Sequence, residues 1–193
     1  CGTMIHPYVD CTIRLAAMGI AADDIVQIVC PTGAGLVHRL WEPLADKHTP
    51  PSGYAAKFSM PFCMAVGFFD GDAGLSQFSD ARASDPEVLR LASKISYVID
   101  PENEYPRNYS GHIRVTLRDG RKIALDQPHM RGGVRAPLSH DDIMAKARAN
   151  CSYGGWNSDQ ADALIGWLQA LPQHDTLAGF AAVGSGQPLR ATT

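Results

Sequence analysis

The chain has 193 residues, of which 45% are hydrophobic and 19% charged, and its net charge is −3. That length allows one good core, or one domain with part of another. The charge gives no electrostatic basis for binding nucleic acid or an anionic membrane, and no apolar run reaches the roughly 18 residues needed to span a bilayer.

In chain order, 4–8 reads as a short extended lead-in, because Pro7 disfavours helical geometry at His6. Asp10 or Thr12 then caps a helix to about Met18, with Ile13, Ala16 and Ala17 on one face and Gly19 ending it. The β-branched stretch 24–31 reads as a strand. Thr32-Gly33-Ala34-Gly35 superficially resembles a phosphate loop, but His38 stands where the dinucleotide fingerprint needs a small residue; the stretch reads as a turn. Residues 37–44 form a short helix, and 48–53 are irregular.

The central stretch is 59–69, apolar on every side and therefore suited to a helix buried all round. Ser59 is its N-cap, Pro61 falls in its first turn, and Asp70-Gly71 stops it. Lys57 lies just before its positive end, which makes that end a place for an anion as well as a well-capped core helix. Residues 77–83 form a loop or a single turn. Ser84 or Asp85 caps a short helix with Pro86 in its first turn, and 95–99 is a strand. After a polar connection over 101–110, Ile113, Val115 and Leu117 alternate with polar residues, Asp119-Gly120 turns the chain, and 121–126 returns as a hairpin strand. These elements predict an α+β domain with a small, mostly antiparallel sheet and helices on one face.

From 128 to 137 the chain is loop-like. The glycines of Arg131-Gly132-Gly133 permit a tight turn, and their backbone N–H groups are also placed to meet an anion. Ser139 and Asp142 form a capping-box pair ahead of a helix over 143–150. A glycine-rich segment covers 151–157. Ser158 caps an amphipathic helix with Ala161, Leu164, Ile165 and Leu168 on one stripe, and Pro172 ends it. A last short helix is expected over 176–183, then a frayed tail. Trp156 and Trp167 read as core or interface residues.

The cysteines, Cys1, Cys11, Cys30, Cys63 and Cys151, are odd in number and lack C-x-x-C spacing. They predict reduced thiols and a cytoplasmic protein rather than a disulfide framework. The seven histidines are scattered without zinc spacing, so no metal is expected. Cys1-Gly2-Thr3 runs straight into structured sequence with no initiator methionine, which predicts a piece of a longer protein.

Five stretches together resemble the C-terminal half of the MmgE/PrpD family, which includes 2-methylcitrate dehydratase, cis-aconitate decarboxylase and iminodisuccinate epimerase. They are HPYVDC (6–11), AKFSMPFCMAVGFFDG (56–71), DPEVLRLASKI (85–95), HIRVTLRDGRKI (112–123) and GGVRAPLSHDDIMAKARANC (132–151), in the family's order and spacing. The resemblance implies a small α+β domain over about 1–135, with helices over about 136–193 returning to an all-helical domain. It also implies a homodimer and a cleft site without cofactor or metal, acting on a small di- or tricarboxylate. The N-terminal helical half of the same protein would supply the other wall, with aspartate and histidine groups. Without that wall the chain alone is expected to be inactive, and the face left for docking is expected to be apolar and prone to dimerisation.

Carried over residue by residue, the resemblance makes His6 and Cys11 the catalytic candidates. His6 stands where the family often has lysine, and Cys11 where some members have an acid–base histidine. Lys57, Ser59 and Phe62 become the substrate-binding candidates. Phe62 stands where some members have tyrosine. These departures argue against decarboxylase chemistry and leave dehydratase or epimerase chemistry open. A different class of reading is a non-catalytic binding or dimerisation module that kept the fold.

Overall fold

The computed structural model describes residues 1–177 and 179–184. The chain divides into two compact units, residues 1–137 and 138–193.

The first unit is built on α5 (Met60–Asp70), in which Met60 to Phe68 are all buried. Ser59 caps it by accepting from the Phe62 N–H, Pro61 lies in its first turn, and Gly71 closes it in the left-handed region at φ +67°, where glycine pays no Cβ penalty. An apolar helix of this kind needs neighbours on every side. α1 (His6–Ala17) covers one side and α7 (Pro86–Ala92) another. α1 and α5 cross at Gly67, where an added methyl group would lie 2.7 Å from Val9 Cγ1.

α1 begins earlier than the sequence predicts. A 3-10 turn at Thr3–Ile5 runs directly into it, and His6 is helical (φ −51°, ψ −47°) with Pro7 in the first turn. At a helix start the missing proline N–H costs nothing, and this outweighs the usual extended bias of a residue before proline. Neither Asp10 nor Thr12 caps the helix; Thr12 is buried inside it and bonds back to the Val9 carbonyl.

Four strands form one mixed sheet: β1 (Ile25–Thr32), β2 (Ile95–Ile99), β3 (Gly111–Leu117) and β4 (Lys122–Gln127), in the order β2-β1-β3-β4. β1 pairs with β2 in parallel, and the other two pairings are antiparallel. Ile28, Cys30, Ile113, Val115 and Leu117 are buried beneath the helices, while Gln27, Arg114, Lys122 and Ala124 face outward. The fold is α+β with helices on one face, as the hairpin alternation implies. Gly120 turns the hairpin at φ +85°.

A polar knot ties α1 to the sheet. The Tyr8 hydroxyl donates to the Pro31 carbonyl at 2.9 Å and lies 3.2 Å from Thr32 Oγ1, which also accepts from Trp41 Nε1 at 3.3 Å. All three side chains are fully buried. Burial pushes the Tyr8 phenol well above its ordinary range.

The segment after β1 forms α2 (Ala34–Leu40) and α3 (Leu44–His48), so the helix predicted over 37–44 starts three residues earlier, with Gly33 at its N-cap. Gly33 and Gly35 are small because Asn103 and Tyr105 press on them: a Cβ there would meet Asn103 Oδ1 at 2.7 Å and the Tyr105 ring at 2.8 Å. α4 (Gly53–Ala56) and α6 (Asp80–Ala83) are single turns capped by Ser52 and Ser79. Asp85 caps α7.

In the second unit, Ser139 and Asp142 form the predicted capping box of α8 (His140–Tyr153), which runs three residues past the expected end. α9 (Ser158–Gln169) is capped by Asn157, one residue before the predicted Ser158. Trp167 is buried and stacks on His174. The final turn, α10, spans Phe180–Gly184; residue 178 and the tail expected to fray, 185–193, lie outside the described residues. Among the described residues, no helix is long and apolar enough to cross a membrane.

Two glycine substitutions should have opposite signs. At Gly111 a Cβ would sit 2.4 Å from the Pro7 carbonyl carbon, and backbone cannot step aside as a side chain can. Gly111→Ala is expected to cost about 1–3 kcal/mol. Gly166, exposed within α9 with nothing within 4 Å of its Cβ position, should gain up to ~1 kcal/mol as alanine. Urea unfolding followed by circular dichroism measures both, and a stable Gly111→Ala would contradict the backbone clash.

Candidate functional site

The starts of the two core helices are tied together by backbone. The Gly2 N–H donates to the Lys57 carbonyl at 2.9 Å, which joins the segment entering α1 to the segment entering α5. His6 is exposed at the first position of α1, and Lys57 is half-buried two residues before the α5 cap. The Lys57 ammonium lies 5.8 Å from the centroid of the Tyr54 ring. Among the described residues it has no carboxylate partner. His6 and Lys57 thus place two nitrogen donors on adjoining segments.

Ser59 and Phe62 are placed differently. Ser59 is fully buried; its hydroxyl accepts from the Phe62 N–H at 3.1 Å and donates to the Lys47 carbonyl. Lys47 in turn donates to the Arg39 and Phe58 carbonyls at 2.8 and 2.9 Å, and burial lowers its pKa. The hydroxyl is therefore occupied in fixing the helix start. Phe62 has no exposed surface and packs on Phe78, with ring centroids 6.2 Å apart.

Cys11 faces the sheet. It is fully buried, with Sγ 3.6 Å from the Gly111 carbonyl and accepting from Arg14 Nη2 at 3.4 Å. Burial pushes the thiol up to about 11, against the opposing hydrogen bond and charge of Arg14. At neutral pH it stays protonated and closed off from solvent. That environment suits packing rather than proton exchange.

A buttressed imidazole lies beside the same contact. Gly111 abuts Pro7, and the next residue, His112, has Nδ1 2.8 Å from Asp126 Oδ1 and Nε2 3.1 Å from Ser110 Oγ. Arg114 donates to the same Asp126 oxygen at 2.8 Å. Partial burial would raise the Asp126 pKa, but the bonds from Arg114 and His112 outweigh it and the pKa falls. Such a carboxylate fixes the tautomer and orientation of its histidine. The sequence alternation placed His112 on the wet face; the signal for its pairing was the hairpin register, which sets it opposite Asp126.

The Arg131-Gly132-Gly133 loop does not offer its amides to an anion. The Gly132 N–H donates to the Ala136 carbonyl at 2.7 Å and the Gly133 N–H to the Met130 carbonyl at 3.2 Å, with Gly132 at φ +90°. The tight-turn reading accounts for both glycines. Arg131 Nη1 reaches Asp10 Oδ1 at 3.4 Å, and among the described residues Asp10 Oδ2 is buried without a hydrogen-bond partner. Among the described residues, no group of three or more His, Cys, Asp or Glu side chains is arranged to hold a metal ion.

The profile of the MmgE/PrpD C-terminal domain matches residues 1–167. The chain is 31% identical over 104 residues to cis-aconitate decarboxylase of Homo sapiens, a match covering 53% of this chain and 22% of that protein. It is 31% identical over 117 residues to cis-aconitate decarboxylase of Aspergillus terreus, covering 58% and 23%. The mouse protein of the same name is 28% identical over 106 residues, covering 53% and 21%. The chain thus spans less than a quarter of the length of the curated relatives it matches.

Thiol accessibility checks this placement of the cysteines. Cys11, Cys30 and Cys63 are buried and Cys1 and Cys151 half-buried, and burial raises Cys63 to about 12. Iodoacetamide at pH 7.5, followed by peptide mass mapping, should modify Cys1 and Cys151 in the native protein and the other three only after unfolding. Rapid native labelling of Cys11 would restore it as a proton-exchanging group.

Proposed function

The chain belongs to the MmgE/PrpD family, and we propose that it forms part of a cofactor-independent lyase acting on a small polycarboxylate. The observation that carries this reading is the Gly2–Lys57 tie, which joins the segment that leads into exposed His6 to the segment that carries Lys57, whose ammonium has no carboxylate partner among the described residues. Breaking a bond next to a carboxylate requires a cation to hold that carboxylate and a group that delivers a proton. In this proposal Lys57 holds a carboxylate and His6 moves the proton. Ser59 and Phe62 fix the position of the α5 start, and Cys11 packs α1 onto the sheet.

Within this class we favour carbon–carbon cleavage with loss of CO2. The relatives named above are cis-aconitate decarboxylases. The departures at His6, Cys11 and Phe62 weigh against that chemistry, but Cys11 and Phe62 are wholly inside the core, where packing explains them, and His6 can still deliver a proton. Loss of CO2 leaves an electron pair that neighbouring unsaturation takes up and a proton then quenches, so His6 acts as the acid. The helical half of the same protein forms the other wall of the cleft, and the enzyme works as a homodimer.

The test uses the full-length protein with cis-aconitate, 2-methylcitrate and iminodisuccinate as separate substrates, products being read by proton NMR. We expect CO2 loss from cis-aconitate, and a kcat/KM lower by about 10²-fold in Lys57→Ala and in His6→Ala. Cys11→Ala, assayed where it remains folded, should retain activity within a few-fold, and the 193-residue chain alone should show none. Failure of the full-length protein on every polycarboxylate would leave the binding or dimerisation module as the better reading. Dehydration of 2-methylcitrate instead would keep the lyase class and overturn the decarboxylase choice.

A further inference from the structure

The arginines of this chain are mostly spoken for. Among the described residues, Arg82, Arg90, Arg114, Arg121, Arg131 and Arg148 each meet a carboxylate, and Arg14 and Arg118 donate to backbone carbonyls. Three guanidiniums have no partner among those residues: Arg39, Arg107 and Arg135. Two of the three, Arg107 and Arg135, line one cavity of about 250 Å³ in the first unit.

The cavity is held open by bonds that leave its cations unused. Arg135 is carried on the turn closed by the Gly132–Ala136 and Gly133–Met130 hydrogen bonds. Facing residues come from the connection before β3, where Asn108 Nδ2 donates to Glu104 Oε2 at 2.8 Å and to the Pro128 carbonyl at 2.9 Å. With both amide protons committed, Asn108 Oδ1 is the acceptor 3.2 Å from His129 Nδ1. His129 therefore carries its proton on Nδ1 when neutral, and Nε2 is left for another partner. Glu104 is engaged by Asn108. Pro106, Met130 and Val134 add apolar surface to the lining, and Val134 is fully exposed.

We propose that this cavity is a binding site for a small polycarboxylate, lined by residues other than His6 and Lys57. Guanidinium forks match carboxylates in two-point geometry. Two of them around a partly apolar cavity of this size fit a short carbon chain bearing carboxylates at both ends. A compact inorganic anion engages one fork and leaves the apolar lining unused. The proposal shares its ligand class with the function proposed above but rests on different residues.

Isothermal titration of the 193-residue chain with citrate, and separately with inorganic phosphate, at fixed low ionic strength tests it. Citrate should bind saturably and more tightly than phosphate. The double variant Arg107→Gln/Arg135→Gln should weaken citrate at least tenfold. Arg39→Gln, which removes the third partnerless guanidinium outside the cavity, should leave binding unchanged. Circular dichroism establishes that each variant is folded, and Arg135→Lys, retaining charge without the fork, should recover only part of the affinity. The proposal is overturned by absence of saturable binding, by phosphate binding as tightly as citrate, or by equal losses in Arg39→Gln and the double variant. Loss in Lys57→Ala alone overturns it while supporting the lyase reading. Citrate binding that depends on Arg107 and Arg135 in a protein without lyase activity upholds the cavity and removes that reading.

Discussion

A helix with no wettable face has to be surrounded, and α5 imposes that requirement on the whole first unit. Nine consecutive residues, Met60 to Phe68, are buried, each large apolar side chain contributing about 1.5–3 kcal/mol by leaving water. α1, α7 and the sheet are arranged to satisfy it. The small residue at the tightest crossing, Gly67 against Val9, sets how closely α1 approaches. Arg82, bonded to Asp70 at the end of α5 and to Asp85 at the cap of α7, fixes how the next helix departs.

Surrounding α5 has a consequence for chemistry. Polar groups drawn into the core must be satisfied there, so Ser59, Tyr8, Thr32 and Cys11 spend their hydrogen bonds on backbone, on one another, or on the Trp41 and Arg14 side chains. None is left to greet a ligand. The groups proposed for chemistry are ones the core does not bury: an imidazole and an ammonium at the helix entrances, with a second imidazole held by Asp126 on the open sheet face. The same backbone that orders the helix starts carries His6 and Lys57 at their outer ends.

What could be read from the sequence was local. The caps of α5, α7 and α8 are specified by Ser59, Asp85 and Ser139 within three residues of the amides they serve, and the hairpin by its alternation and Asp119-Gly120. The start of α1 was misread because a one-residue rule about proline competes with a helix-start rule, and only the preceding 3-10 turn decides between them. Gly33 and Gly35 resembled a ligand loop because close approach by Asn103 and Tyr105, some seventy residues away, leaves the same glycine signature as approach by a phosphate. Cys11 was ambiguous for the same reason: its burial depends on Gly111 and Leu125, which nothing near residue 11 announces. The arginine cavity was invisible because it is defined by which cations lack partners.

That last point bears on how charge is read. A net charge of −3 argues against a polyanionic macromolecule, since long-range attraction follows the sum. A small anion responds instead to the few nearest groups, because screening removes contributions beyond about 8–10 Å at physiological salt. In this chain many of the acids are committed: Asp70 and Asp85 to Arg82, Asp126 to Arg114 and His112, Asp119 to Arg121, Asp162 to Arg148. These pairings consume acids and bases together and leave other cations, Lys57, Arg39, Arg107 and Arg135 among them, without a carboxylate partner among the described residues. An overall acidic protein can therefore present cationic sites to small carboxylates while repelling larger polyanions, and the ion pairs that look like surface decoration decide where those sites lie.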